Sequence, residues 1–124
     1  IVGRTERFRA AVTQKPVINW ASTVLTTDIY TYMPRYWFEK LPWEDPESYW
    51  KVSPLSLVGS VKTPTLVLVG GADRPEYVGS GQYLERKMPD ARLVVIDGGE
   101  HSMHEHTHAA DVAEHIAHFE AVCP

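Results

Sequence analysis

Histidines cluster near the C-terminal end of this chain. Four of the six histidines lie in residues 98–108, which read GGEHSMHEHTH. Imidazoles two to four residues apart can converge on one metal ion, and a single loop imidazole can also act as a general base. Taken alone, the spacing therefore favours a metal site, for which the candidate ligands are His104, His106 and His108.

The metal interpretation weakens on closer reading of the same segment. His104-Glu105-His106-Thr107-His108 matches a His-x-His-x-Asp-His motif, typical of metallo-β-lactamase-like hydrolases, only in part, because the Asp-His ending is missing. A second ligand set, Asp111, His115 and His118, lies on the helix face opposite the apolar stripe Val112, Ile116 and Phe119, which is typical of a solvated surface. We therefore expect no metal and no other cofactor, with these histidines on the surface.

Two other titratable residues follow the most apolar segments of the chain. Asp73 comes after TLVLV (residues 65–69) and Gly70-Gly71, and His101 comes after ARLVVI (residues 91–96) and Gly98-Gly99. Open α/β sheets place their chemistry at the carboxyl ends of parallel strands, where neighbouring loops meet. Asp73 could there accept the imidazole N–H of His101, fix its tautomer and stabilise its protonated form. The spacing thus predicts an acid and base pair.

The elements that must position this pair alternate between strand and helix. The two apolar segments predict buried strands, and residues 76–88 and 109–122 predict the helices that follow them. Gly79 and Gly81 weaken the first of these helices. A strand–helix–strand–helix order implies parallel, adjacent strands with right-handed crossovers, and therefore an α/β fold.

The first part of the chain has a different texture. Residues 10–14 (AAVTQ) predict a short strand, residues 19–41 predict short helical turns, and Asp45-Pro46-Glu47 is typical of a helix start. The border between this region and the region of alternating strands and helices falls near Lys62. We interpret residues 1–124 as one partial domain, with a strand and helical packing region at 1–62 and the acid-strand and histidine-loop region at 63–124.

Composition narrows the function classes. The net charge of −4 gives no basic field for nucleic acid, and the longest apolar segment is too short to span a bilayer. The single cysteine, Cys123, excludes an intrachain disulfide. We expect a cytoplasmic protein that binds neither nucleic acid nor membrane.

Several segments together resemble a known family. TPTLVLVGGAD, followed 28 residues after its Asp by the histidine of GGEH, is similar to the acid strand and histidine loop of α/β-hydrolases. RFRAAVTQKPVINW, PWEDPESYW and SPLSLVGSVKTP resemble the C-terminal part of the prolyl oligopeptidase family, most of all acylaminoacyl peptidases. The resemblance implies the C-terminal half of an α/β-hydrolase fold, with Asp73 as the acid and His101 as the general base. Val69-Gly70 departs from the family's usual His-Gly, which leaves substrate specificity open.

The nucleophile that the resemblance requires is a serine within Gly-x-Ser-x-Gly. None of the seven serines has glycine at both positions two residues away, and the nearest imitation, Gly79-Ser80-Gly81, lies in a predicted helix. In the family this serine precedes the segment that matches Ile1–Phe8. We expect a truncated serine hydrolase that is inactive alone and acts on a peptide or acyl substrate only when completed.

Loss of a front half would leave the AAVTQ strand with an open sheet edge. Such an edge favours pairing with a second copy of the chain or with a separate front half of the hydrolase. Two other functions remain open: a non-catalytic, oligomerising relic, and a small histidine-rich metal-binding protein.

Overall fold

The structure, a computed structural model that describes residues 1–123, contains a sheet of three parallel strands. The strands are β1 (Ala11–Gln14), β2 (Thr65–Gly70) and β3 (Ala91–Ile96), and β2 lies between the other two. Thr65 is paired with Ala11 on one side and with Ala91 on the other. The predicted parallel, adjacent pairing of the two apolar strands is confirmed, and so is the α/β fold class with an open sheet.

Helices fill the connections between and after these strands. They are α1 (Trp20–Thr26), α2 (Pro46–Val52), α3 (Pro75–Lys87) and α4 (Ala109–Val122), with a π-helical turn at Pro34–Phe38 and a 3-10 helix at Pro54–Ser60. The predicted helices over 76–88 and 109–122 are confirmed, the first beginning and ending one residue earlier than expected. No helix among residues 1–123 is long and apolar enough to cross a membrane.

Strand β2 is buried along its whole length because helices cover both of its faces. Leu66 and Leu68 point to one face, where they pack with Ile96, Met103, Val112 and Phe119 in one apolar cluster. The other face meets α3 at Gly81, where a Cβ would come within 2.9 Å of the Val69 side chain and 3.0 Å of the Leu93 side chain. Gly81 therefore costs helix propensity but allows α3 to approach the sheet closely, which propensity alone does not show.

The residues form two compact units. One consists of Ile1–Pro16 together with the chain from Val58 onward and contains the whole sheet; the other is Val17–Leu57. The sequence border near Lys62 marked a change of texture, whereas the structural unit includes β1 because that strand pairs with β2. Everything that positions Asp73 and His101 belongs to the sheet unit.

The smaller unit is helical and rich in aromatic side chains. Its core contains Val24, Met33 and Tyr49, and the Tyr49 ring stacks on Phe38 with centroids 3.9 Å apart. Helix α2 begins as predicted, with the Asp45 carboxylate accepting hydrogen bonds from both the backbone N–H and the hydroxyl of Ser48. Tyr49 and the half-buried Phe38 thus belong to a local core, whereas Tyr36 and Trp37 are exposed.

Candidate active site

Two glycines bring the loops after β2 and β3 into contact. A Cβ at Gly70 would overlap the carbonyl of Gly99 and come within 2.9 Å of the carbonyl oxygen of Glu100. At Gly99 a Cβ would lie 3.1 Å from the Met103 sulfur and 3.2 Å from the Gly70 Cα. Only residues without side chains permit this approach, since backbone atoms cannot move aside as a flexible side chain can.

Backbone hydrogen bonds then join the two loops. The N–H of Gly71 donates to the carbonyl of Ile96 at 2.8 Å, and the N–H of Ala72 donates to the carbonyl of Gly99 at 2.9 Å. The pairing of the strands is in this way extended past their carboxyl ends. The loop that carries Asp73 and the loop that carries His101 are consequently held to each other by main-chain hydrogen bonds.

Asp73 and His101 meet at this junction. Nδ1 of His101 lies 2.9 Å from Oδ2 of Asp73. Because a carboxylate can only accept, Nδ1 carries the proton and donates it, which leaves Nε2 of the neutral ring with a free lone pair. The other carboxylate oxygen, Oδ1, accepts the backbone N–H of Arg74 at 2.7 Å.

The two side chains of this pair differ in exposure. The Asp73 side chain is 4% exposed, whereas the His101 side chain is 45% exposed. A buried carboxylate with both oxygens bonded has little freedom to move, and charge-assisted bonds to it are among the stronger ones in proteins. The arrangement can orient an imidazole whose other nitrogen is open to a reactant, which is the geometry that a general base needs.

An aromatic ring also contacts the imidazole. Tyr77, in the first turn of α3, has its ring centroid 4.5 Å from that of His101, with the planes inclined by 53°. Sequence reasoning missed this residue, because one tyrosine in a helix reads as an ordinary packing residue. It also missed the Gly70–Gly99 contact, for which the recurrence of Gly-Gly after both strands was the available signal.

No serine contacts the free nitrogen of His101 through a hydrogen bond in the part of the chain that the structure describes. Ser80 lies inside α3. Ser102 is the neighbour of His101 in the sequence and is half-buried. The elbow between strand and helix that a Gly-x-Ser-x-Gly nucleophile occupies is not formed by Gly79-Ser80-Gly81, which are three consecutive residues of one helix.

The remaining histidines of the cluster do not form a group. Nε2 of His104 lies 3.2 Å from Glu105, and Nδ1 of His108 lies 3.0 Å from Asp111. The expectation of surface histidines holds for His106, which is exposed, but the side chains of His104 and His108 are only 28% and 24% exposed. Within residues 1–123 no three histidine, cysteine or acidic side chains converge as metal ligands would.

The second candidate set follows the amphipathic pattern of α4. Asp111 and His118 are exposed, His115 is half-buried, and Val112 and Phe119 on the other side are buried. The helix thus turns its apolar stripe to the sheet, as its spacing indicated.

The chain is similar in sequence to two curated proteins. The chain is 32% identical over 109 residues to the acylamino-acid-releasing enzyme of Arabidopsis thaliana, covering 79% of this chain and 14% of the relative. It is 42% identical over 73 residues to the uncharacterized peptidase YuxL of Bacillus subtilis, covering 59% of this chain and 11% of that protein. The chain therefore spans only about a seventh or less of the curated relatives that it matches.

Solved structures agree with this fold. The Pyrococcus horikoshii acylaminoacyl peptidase superposes with a TM-score of 0.80 over 96% of this chain and 20% of its own, at 17% identity. VinJ superposes with a TM-score of 0.59 over 98% of this chain and 60% of its own, at 15% identity. At such identities the likeness establishes the α/β-hydrolase fold rather than a shared substrate.

The family itself is established by a match of a different kind. The model of the prolyl oligopeptidase family, Peptidase_S9, matches residues 1–123, which is nearly the whole chain. The segments that resembled this family in the sequence lie within that match. With a parallel sheet of the hydrolase type and an aspartate–histidine pair at its carboxyl edge, the chain belongs to the prolyl oligopeptidase family.

Proposed function

We propose that Asp73 and His101 are the acid and the general base of a Ser-His-Asp triad in a serine hydrolase of the acylaminoacyl peptidase type. The observation that carries the proposal is the 2.9 Å contact between His101 Nδ1 and the buried Asp73 carboxylate, at the carboxyl ends of two adjacent parallel strands. The similarity to an acylamino-acid-releasing enzyme supports a peptide or acyl-peptide substrate.

In this mechanism His101 moves a proton twice. Its Nε2 takes the proton of a serine hydroxyl as the serine oxygen attacks the acyl carbonyl, and the tetrahedral intermediate forms. Asp73 stays ionised and stabilises the resulting imidazolium through the Nδ1–H bond. His101 then gives its proton to the leaving amine as the tetrahedral intermediate collapses to the acyl-enzyme. A water molecule attacks the acyl-enzyme while Nε2 takes its proton, and His101 returns that proton to the serine oxygen as the acid product leaves.

The 124 residues supply only part of this machinery. They contain no Gly-x-Ser-x-Gly, so the proposal assigns the nucleophile and an oxyanion-hole donor to residues outside this sequence. A truncated chain of this kind is inactive alone, because the members of a triad act as a unit. We also place the protein in the cytoplasm, an assignment that its single cysteine supports.

The proposed partner chains bind at the unpaired edge of β1. Among residues 1–123, β1 pairs with β2 on one side only. The N–H of Ala11 donates to the carbonyl of Pro64, just before β2, and the N–H of Lys15 donates to that of Leu68 in β2. The alternation of a strand therefore turns the N–H groups of Val12 and Gln14 away from β2. The proposed occupant of this edge is a second copy of the chain, or a separate front half of the hydrolase.

The experiment is fluorophosphonate labelling of the purified 124-residue chain, followed by intact-mass measurement, with an active serine hydrolase as the positive control. The proposal predicts no adduct on the wild-type chain and no burst with a p-nitrophenyl ester. Stoichiometric labelling of one serine, lost in His101→Ala, would show that the chain holds its own nucleophile. Ser80→Ala and Ser102→Ala would then locate it.

The non-catalytic relic remains the alternative. It predicts the same absence of labelling, so the two are separated by supplying the upstream part of the reading frame as a second polypeptide. Labelling of that polypeptide only in the presence of the 124-residue chain, and not with His101→Ala, supports the triad. Complex formation without labelling supports the relic.

A further inference from the structure

The imidazole of His101 sits in a surrounding that does not by itself fix its orientation. Nearly half of its side chain is exposed, so packing leaves the ring open space on several sides. One hydrogen bond, from Nδ1 to Asp73, fixes the position of one ring atom. A single such bond still allows the ring to turn about the bond direction, and this rotation changes where Nε2 points.

The start of α3 supplies the second constraint. The Asp73 carboxylate accepts the N–H of Arg74, the residue that precedes the helix, at 2.7 Å. The N–H of Tyr77 donates to the carbonyl of Arg74 at 3.0 Å. The carboxylate and the aromatic ring that touch His101 are therefore carried by one short, hydrogen-bonded segment of backbone.

We propose that Tyr77 is a positioning residue for His101. Its ring, whose centroid lies 4.5 Å from that of the imidazole, restricts the rotation that the Asp73 bond leaves free, and so holds Nε2 in one direction. Aromatic pairs at such distances are stabilised by packing and by ring electrostatics. The inference rests on the proposed function, since only a general base needs a fixed Nε2.

The contribution belongs to the ring rather than to the hydroxyl. The structure shows Tyr77 meeting His101 ring to ring, at an inclination of 53° that is between stacked and edge-on. Phenylalanine keeps this contact, whereas leucine and glutamine remove it while leaving a side chain of comparable length. Tyr83, in the second half of the same helix, is half-buried and offers a matched control outside this contact.

The test is the solvent-exchange rate of the His101 Nδ1 proton, measured by NMR at low temperature on the 124-residue chain and its variants. In Tyr77→Leu and Tyr77→Gln the rate should rise about two- to tenfold, the range that loss of one aromatic pair gives. Tyr77→Phe and Tyr83→Leu should keep the wild-type rate. If Tyr77 only stabilised the fold, Tyr77→Leu would be less stable, but its Nδ1 exchange rate would equal that of Tyr77→Phe.

Two outcomes would overturn the inference: an unchanged rate in either Tyr77→Leu or Tyr77→Gln, or equal acceleration in Tyr77→Phe and Tyr77→Leu. Asp73→Asn separates this result from failure of the proposed function. If the Nδ1 proton is unaffected by Asp73→Asn, the acid and base pair itself is wrong. If Asp73→Asn abolishes the resonance while the Tyr77 variants leave it unchanged, only the role of Tyr77 is wrong.

Discussion

Among residues 1–123, two histidine–aspartate pairs have nearly equal contact distances, but the buried partner is the aspartate in one pair and the histidine in the other. In the first, Nδ1 of His101 lies 2.9 Å from Asp73, with the imidazole 45% exposed and the carboxylate 4% exposed. In the second, Nδ1 of His108 lies 3.0 Å from Asp111, with the imidazole 24% exposed and the carboxylate 58% exposed. The contact distance alone therefore does not distinguish the pair that we propose to be catalytic from the other one.

The difference lies in which partner is held by the protein. Asp73 is fixed by burial and by a second hydrogen bond, and it orients an imidazole that is exposed to solvent. Asp111 is exposed in the first turn of α4, next to His108 at the N-cap, so this pair is local to one helix start. A general base needs one ring nitrogen bonded to a fixed partner and an imidazole that is accessible to a reactant. Only the pair of His101 with Asp73 satisfies both conditions.

Breaking the contact between the two loops should have the largest effect. Gly70→Ala places a Cβ on the backbone carbonyls of Gly99 and Glu100, which cannot move without separating the loops. We expect a loss of about 3 kcal/mol or more in the free energy of unfolding, measured by urea denaturation. The Nδ1 resonance of His101 should be lost, while that of His108 should persist.

The matched control is Gly79→Ala in α3, where a Cβ meets nothing within 4 Å. Alanine is the better helix former there, so this variant should be stabilised by about 0.5–1 kcal/mol. Equal stability of the two variants would contradict the close approach of the loops.

Removing the charge from each aspartate in turn compares the pairs directly. Asp73→Asn should reduce the free energy of unfolding by about 1–3 kcal/mol, because a buried group loses charge-assisted hydrogen bonds. Asp111→Asn should reduce it by about 0.5 kcal/mol or less, as is usual for exposed ion pairs. The measurement is urea denaturation at neutral pH, and a larger loss from Asp111→Asn would reverse the assignment of the two pairs.

The two free edges of the sheet offer a second contrast. At β3 the Glu85 carboxylate accepts the N–H of Leu93 at 2.9 Å and so occupies part of that edge, whereas Val12 on β1 is 38% exposed. We expect the chain to be at least a dimer at micromolar concentration by light scattering, and Val12→Lys to shift it toward monomer. Val95→Lys, at an exposed position of β3, should leave association unchanged. A wild-type chain that is a monomer would refute pairing through β1.

Asp45 is a carboxylate that accepts hydrogen bonds without any histidine partner, and we expect its substitution to have the smallest effect on stability. The Ser48 hydroxyl, and then the Ser48 backbone N–H, lower the pKa of Asp45 below its ordinary value of 3.8. A depressed pKa contributes stability that is present above 3.8 and is lost as the pH falls through the folded value.

The corresponding variant is Asp45→Asn, which keeps a capping oxygen but does not titrate. The urea midpoint of the wild-type chain should fall slightly more than that of Asp45→Asn between about pH 5 and pH 2. Parallel pH profiles of the two chains would show that the cap contributes nothing through its charge. Ser48→Ala, which removes the larger of the two contacts, should lie between them.

Much of the sheet unit was predictable because its signals are local. Buried parallel strands read as continuous apolar runs, and β3 begins and ends where the sequence indicated. The Asp73–His101 contact also followed, since parallel neighbours place their following loops together. Tyr77, by contrast, contacts His101 through the tertiary packing of α3 against the loop after β3, which no spacing in the sequence encodes.

The histidine cluster was harder to interpret for a related reason. Spacing showed that its members are close along the chain, but their burial depends on the tertiary structure of residues 102–108, in which Met103 packs into the apolar cluster. The pair of His108 with Asp111 was accessible, because residues three apart on a helix are neighbours. The reversed burial of the two pairs was not.

The tautomer of His101 is the most direct test of whether Asp73 orients this ring as a base. A long-range ¹H–¹⁵N spectrum of the 124-residue chain, recorded at a pH where the ring is neutral and assigned with His101→Gln, distinguishes a protonated Nδ1 from a protonated Nε2. We predict a protonated Nδ1 that is hydrogen-bonded to Asp73 and an unprotonated Nε2, and we expect this pattern to be lost in Asp73→Asn. A ring protonated at Nε2, or a tautomer that is unchanged by Asp73→Asn, would contradict the assignment of His101 as a base oriented by Asp73.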